Sequence, residues 1–134
     1  MKTSLYVADT VALVRYLEHN LPKRANEVFE KAESGRATIL VPDIVIAEFI
    51  YIGLKGRLKV SDPRVTIAEL LSDLQSSQFL RPVGVSSAAW ETFVDSRVPE
   101  LHDRLIYSTA VTNEADAIIT NDPEIVASAY PTIW

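Results

Sequence analysis

Short β-branched runs and longer segments of helical period take turns along this chain from end to end. Such alternation leaves few architectures open, and it predicts an α/β protein with a parallel sheet covered by helices. Residues 5–8 predict a short buried strand. Residues 10–20 follow as a helix, with Leu13, Leu17 and Leu21 at helical spacing. Pro22 opens a second helix that runs to Ser34 and is stopped by Gly35. Residues 37–41 predict a second strand, and Pro42-Asp43 opens a helix through Leu54, with Gly53 and Gly56 marking where it weakens. Asp62-Pro63 caps a helix over residues 65–75, and residues 79–85 predict a third strand. Ser86-Ser87 caps a helix to Asp95. Residues 101–114 are helical, 117–120 a strand, 123–128 a short helix and 132–134 a last strand. Trp90, Phe93 and Trp134 are expected in the core, because no basic residues interleave with them as in a base-stacking surface.

The 134 residues predict one domain spanning 1–134. An apolar share of 48% against 23% charged excludes a disordered chain. There is no cysteine, which removes disulfides, thiolate metal sites and cysteine nucleophiles and fits a cytoplasmic location. Met1 to Ser4 lead into a four-residue apolar patch that stops at Asp9, too short for a signal peptide. The most apolar stretch, 44–54, contains Glu48 and falls well below the roughly 20 residues of a membrane span.

Thirteen basic residues face eighteen acidic ones, a net charge of -5, which speaks against broad backbone-driven nucleic-acid binding. That objection weakens if several acids surround a metal. Setting four aside leaves 13 against 14. The positions of the acids therefore decide the matter.

Asp9 ends the first strand, Asp103 lies near the start of a helix, and Asp122 follows a strand and precedes Pro123. Each is also well placed to cap a helix, a role that stabilises by about 1 kcal/mol and requires no chemistry. Glu48 differs, because its helix is apolar on nearly every side. A carboxylate there must be protonated, ion-paired or bound to a cation. In an open parallel sheet, ligands bind beyond the carboxyl ends of the strands. Asp9 and Asp122 leave strands at that edge, Glu48 sits one turn or so into the helix after the second strand, and Asp103 opens the helix before the strand leading to Asp122. Four converging carboxylates require a counter-charge, and no Lys or Arg directly flanks Asp9, Glu48 or Asp122. An all-oxygen donor set suits Mg²⁺ or Mn²⁺. Such a cation can polarise a phosphate oxygen and activate water for attack on phosphorus. Thr10 and Thr120 stand beside two of the acids and are candidates to orient a carboxylate or water.

The blocks Val7-Ala8-Asp9-Thr10, 41–48 (VPDIVIAE), 102–110 (HDRLIYSTA) and 116–122 (DAIITND) resemble, in order, a PIN domain, and within that family the VapC-type toxins of toxin–antitoxin pairs. The resemblance runs over residues 5–124 and is carried by these four blocks. It implies a PIN-like three-layer α/β/α sandwich around a mostly parallel sheet. It also implies a Mg²⁺- or Mn²⁺-dependent endoribonuclease acting on single-stranded RNA. Asp9, Glu48, Asp103 and Asp122 take the places of the family's acidic quartet, and Thr10 and Thr120 match its hydroxyl-bearing positions. The resemblance further implies a homodimer and a small antitoxin protein whose tail covers the acidic pocket. Val11 departs from the small polar residue that the family often carries there.

Lys55, Arg57 and Lys59 form the densest basic cluster. They are candidate RNA contacts, with favourable charge at a helix C-terminus as the plainer reading. Arg104 follows Asp103 and is a candidate for steadying a phosphate or for pairing with a surface acid. His102 is a candidate proton carrier or a structural cap residue. Phe49, Tyr51, Ile52 and Leu54 carry apolar character beyond one helix face and mark a candidate partner surface or core. Two other functions compete. One is a phosphatase or phosphotransferase with Asp9 as nucleophile, for which the expected second Asp is replaced by Val11 and the last Lys is Lys59. The other is a PIN-like module that binds RNA or protein without catalysis.

Overall fold

The computed structural model describes residues 3–76 and 78–134; Met1 and Lys2 of the N-terminal lead, and Ser77, lie outside them. Among the described residues the chain runs through β1 (Ser4–Ala8), α1 (Thr10–Leu17), α2 (Lys23–Glu33), β2 (Ala37–Pro42), α3 (Asp43–Leu54) and α4 (Pro63–Ser76). It continues through β3 (Leu80–Val83), α5 (Ser87–Asp95), α6 (Leu101–Thr112), β4 (Ala117–Ile119), α7 (Pro123–Ala127) and β5 (Thr132–Ile133). The strands form one sheet in the order β3-β2-β1-β4-β5, with every neighbouring pair parallel. Tyr6 of β1 stands beside Ile39 on one side and Ala117 on the other. The sheet grows from β1 to β3 in one direction, and the chain then crosses back to lay β4 on the other side of β1. The boundary between β1 and β4 is therefore the switch point, where open parallel sheets leave a crevice. Right-handed crossovers put α1 to α4 on one face and α5 to α7 on the other, the α/β/α arrangement.

Central strands covered on both faces must be apolar along their whole length. Val7, Ile39, Val41, Ile118 and Ile119 are accordingly fully buried, packed with Leu13, Phe29, Phe49, Leu70 and Ile125 from the helices. Each such side chain contributes about 1.5–3 kcal/mol by leaving water. β3 carries Pro82 opposite Val41, which an edge strand tolerates because its outer N–H groups need no partner. It is shorter than the expected 79–85.

The ends of α2 and α3 agree with the sequence reading, whereas those of α1 and α6 differ from it. Gly35 and Gly56 take positive φ, 81° and 69°, just past the ends of α2 and α3, as glycine allows. α1 was expected to reach residue 20 and α6 residue 114, but they stop at Leu17 and Thr112. Here His19 and Glu114 adopt the left-handed conformation, at φ 59° and 53°, and so hide the stop from a search for glycine. Gly53 has another role than weakening α3. A Cβ there would lie 2.8 Å from Ile67 Cδ1, so glycine lets α3 approach α4. Trp90 corrects the expectation of a core residue, being 48% exposed with its ring edge-on to Phe93 at 5.5 Å. Only Ala89 of α5 is fully buried, and the helix packs against α6. Phe93 and Trp134 are half-buried.

Candidate metal centre

The four acids arrive from four elements. Asp9 follows β1 and caps α1, its Oδ1 accepting from the Ala12 N–H at 2.8 Å. Its Oδ2 accepts from the Thr120 hydroxyl. The Thr120 oxygen in turn accepts from the Asp122 N–H at 2.9 Å. Thr120 thereby joins the ends of β1 and β4 just past the switch point. Asp122 caps α7, its Oδ1 accepting from the Glu124 N–H at 2.9 Å. Glu48 lies in the second turn of α3 and accepts from the Thr10 hydroxyl at 3.2 Å. Asp103 sits in the first turn of α6, but the cap there is Glu100, whose Oε2 accepts from the Asp103 N–H at 2.8 Å. Capping and convergence are thus compatible. Each cap uses only part of a carboxylate, and the Thr10 and Thr120 hydroxyls each donate a hydrogen bond to one of the acids.

All four acids line one open cavity of about 360 Å³ at the carboxyl edge of the sheet, together with Thr10, Val11, Glu100, His102, Ile106, Asn121 and Pro123. No Lys or Arg is among these residues. Larger cavities exist elsewhere, so it is the chemistry of the lining, not its volume, that singles this one out.

The electrostatics follow from that lining. Asp9 is only 5% exposed. Burial pushes its carboxyl up to about 6, against the pull of the Thr120 and Ala12 bonds, and the negative charges of Asp122 and Glu48 add to the rise. Asp103 is pushed up to about 7 by burial first and then by Asp122, Glu100, Glu124 and Asp9. Glu100 stays below the usual carboxylate range. Its slight burial opposes this, but the Asp103 and His102 N–H groups and the His102 ring outweigh it.

A divalent cation fits this donor set. Asp103, Asp122 and Glu124 each present an oxygen, all within 4.8 Å of one another. Asp9 and Glu48 share the cavity with Asp103 and Asp122 but stand outside this tight trio. Glu124 was not singled out in the sequence. Its signal is the Asp122-Pro123-Glu124 run, where a capping Asp and a proline at the first helical position turn the next carboxylate toward the same helix end. Glu100 was missed as well, because a Glu is an uncommon cap.

The basic candidates do not join the acids. Lys55, Arg57 and Lys59 follow the C-terminus of α3 and none lines the cavity. The Lys55 ammonium lies 5.2 Å from the Tyr51 ring centre. The Lys59 N–H donates to Glu18 at 2.6 Å, beside the end of α1 remote from Asp9. Arg104 turns toward α5. Its Nε donates to Phe93 O at 2.6 Å and its Nη2 to Val94 O at 3.0 Å, with the guanidinium 5.0 Å from the Phe93 ring centre. His102 Nδ1 pairs with Glu100 at 3.0 Å. On α3, Phe49 is buried in the core, while Tyr51 and Leu54 are 60% and 56% exposed.

Among curated proteins none matches the chain. Among solved structures, the chain is similar to VapBC2 from Rickettsia felis bound to a DNA fragment from its promoter, at 21% identity, TM-score 0.72 and 96% coverage of each chain. It is similar to a toxin–antitoxin complex from Klebsiella pneumoniae, at 16% identity and TM-score 0.68, covering 98% of this chain and 97% of that one. It is also similar to Mycobacterium tuberculosis VapC20, described as a sarcin-ricin loop cleaving toxin, at 15% identity and TM-score 0.63, covering 95% and 96%. At these identities the likeness speaks for the fold. The model of the PIN domain family matches residues 6–129, nearly the whole length, and with the acids gathered at the switch point this chain belongs to the PIN domain family.

Proposed function

We propose that this protein is a Mg²⁺- or Mn²⁺-dependent endoribonuclease that hydrolyses phosphodiester bonds of single-stranded RNA, and that it serves as the toxin of a cytoplasmic toxin–antitoxin pair. The observation that carries the reading is a cavity lined by Asp9, Glu48, Asp103 and Asp122, with no Lys or Arg among its lining residues to balance them. Asp9, Glu48, Asp103 and Asp122 would hold the cation, with Glu124 adding an oxygen beside Asp103 and Asp122. When bound, the cation supplies Lewis acidity at a phosphate oxygen and acidifies a water. The chain's own part is positioning. Thr120 holds Asp9, Thr10 holds Glu48, and the two caps fix Asp9 and Asp122 to helix ends. Groups fixed in this way need no reorganisation when substrate arrives.

Both Asp9 oxygens already accept hydrogen bonds, which speaks against Asp9 as a phosphoryl acceptor. The toxin role is supported by the toxin–antitoxin complexes among the similar folds. The exposed Tyr51 and Leu54 on α3 offer an apolar surface to an antitoxin or to a second copy of the chain in a homodimer.

The test is RNA cleavage by the purified protein with Mn²⁺ or Mg²⁺. Asp9→Asn and Asp103→Asn are expected to abolish it while circular dichroism shows the fold intact. Cleavage that persists in both variants removes the proposed site. Calorimetry with Mn²⁺ separates the nuclease from a non-catalytic binding module: heat that vanishes in Glu48→Gln supports the nuclease, and no binding at all favours the module.

A further inference from the structure

A second cavity, of about 470 Å³, is lined by α6, α7 and the loop between α5 and α6. Glu124 links it to the acids. One of its carboxylate oxygens lies within 4.8 Å of those of Asp103 and Asp122, while the residue itself lines this second cavity. Two helices lead from one site to the other. α6 carries Asp103 and, four residues on, Tyr107; α7 carries Glu124 and Ala127, with Ser128 as its C-cap. Residues three or four apart share a helix face, so each helix spans the gap in one turn, about 5–6 Å.

The walls are held in place without a ligand. Val98 of the loop is buried, and its N–H donates to Ser96 Oγ at 3.1 Å. Arg104 ties the last turn of α5 to α6 through Phe93 O and Val94 O. The Tyr107 ring meets Tyr130 edge-to-face at 6.1 Å, which sets its tilt. Arg97 lies on the rim, exposed and without an ion pair among the described residues. The lining therefore combines an aromatic ring, a cation and hydroxyl and carboxylate acceptors, in a volume ordinary for a small-molecule site.

An acidic pocket in a chain of net charge -5 repels RNA phosphates, so substrate must gain much of its binding elsewhere. Resting on the nuclease reading above, we propose that this cavity receives one unstacked base of the RNA beside the scissile phosphate. Tyr107 flanks the base and Arg97 meets the adjoining phosphate. Base contacts with an aromatic ring tolerate every base, and the carboxylate and hydroxyl acceptors around the cavity then favour bases with exposed donor groups.

The probe is a fluorescently labelled single-stranded oligoribonucleotide of mixed sequence, titrated in magnesium buffer against the Asp9→Asn protein, which binds without cutting on the nuclease reading. Adding Ala127→Trp, an exposed position that fills the cavity, or Arg97→Ala is expected to weaken binding about tenfold with no change in melting temperature. Arg64→Ala, exposed on α4 and outside both cavities, is expected to leave affinity unchanged. The proposal is overturned by no detectable binding, by unchanged affinity in both cavity variants, or by an equal loss in Arg64→Ala. Mn²⁺-dependent cleavage by the unmutated protein is scored separately. Cavity-dependent binding without cleavage removes the nuclease reading alone, and cleavage with cavity-independent binding removes the base subsite alone.

Discussion

The Thr120 hydroxyl donates a hydrogen bond to Asp9 Oδ2, joining residues 111 positions apart. Its oxygen also accepts from the Asp122 N–H, so one buried side chain holds two of the converging acids. A hydroxyl does this better than a charged group. It can donate to the carboxylate without cancelling the negative charge that a cation would need.

Thr120→Val keeps the shape and removes both bonds. The variant is expected to lose about 1–3 kcal/mol of stability, measured by denaturant unfolding, because a buried carboxylate and a backbone N–H lose their partner. The Thr120 bond pulls the Asp9 carboxyl down, so its loss moves the acid limb of the pH–rate profile to higher pH. An unchanged profile together with unchanged stability would show that the bond is incidental.

Asp9 at about 6 and Asp103 at about 7 both lie above the ordinary carboxylate value of 3.8. Between pH 4 and 7 the folded chain therefore binds more protons than the unfolded one. The stability contribution of these protonated acids is complete below 3.8 and is lost as pH rises through 6 and 7. For Asp9 this amounts to at most about 3 kcal/mol. Metal-free protein is expected to melt at a lower temperature at pH 7.5 than at pH 5. Mn²⁺ binds the ionised acids, so the rise in melting temperature it produces is expected to grow over the same range. A Mn²⁺ effect that is equal at pH 5 and pH 7.5 would exclude these two carboxylates from the site.

Arg104→Ala separates a structural from a substrate-binding role. With both bonds to the last turn of α5 lost, stability is expected to fall by about 2–3 kcal/mol. If Arg104 held an RNA phosphate instead, KM would rise while thermal melting stayed the same.

Thr112 Oγ1, at the end of α6, is buried without a hydrogen-bond partner among the described residues. Replacing an unsatisfied hydroxyl by a methyl removes a desolvation cost at constant volume. Thr112→Val is therefore expected to leave stability unchanged or raise it by about 1 kcal/mol, read by thermal denaturation. A loss of more than that would reveal a polar contact to this hydroxyl.

Much of this arrangement was written locally. The alternation of strand and helix periods specified a parallel sheet. The capping residues Asp9, Asp62, Ser86 and Asp122 announced helix starts, each confirmed by an N–H donated to its side chain. Asp9 and Asp122, at the ends of strands, had to lie at the carboxyl edge in any open parallel sheet. The site of Glu48 followed from a charge in an otherwise apolar helix. Such features depend on neighbours a few positions away, and so they survive in a one-dimensional reading.

What the linear order could not specify was distance between elements. Crossover packing brought Glu124 rather than Glu48 or Asp9 into the tightest acid group with Asp103 and Asp122. It turned Arg104 onto α5, set Lys55, Arg57 and Lys59 away from the acids, and left Trp90 on the surface. Hydrophobic periodicity says which face of a helix is buried. How that helix slides and tilts against its neighbours is decided by the summed packing of many side chains, and a few ångströms of such movement separate a metal ligand from a bystander.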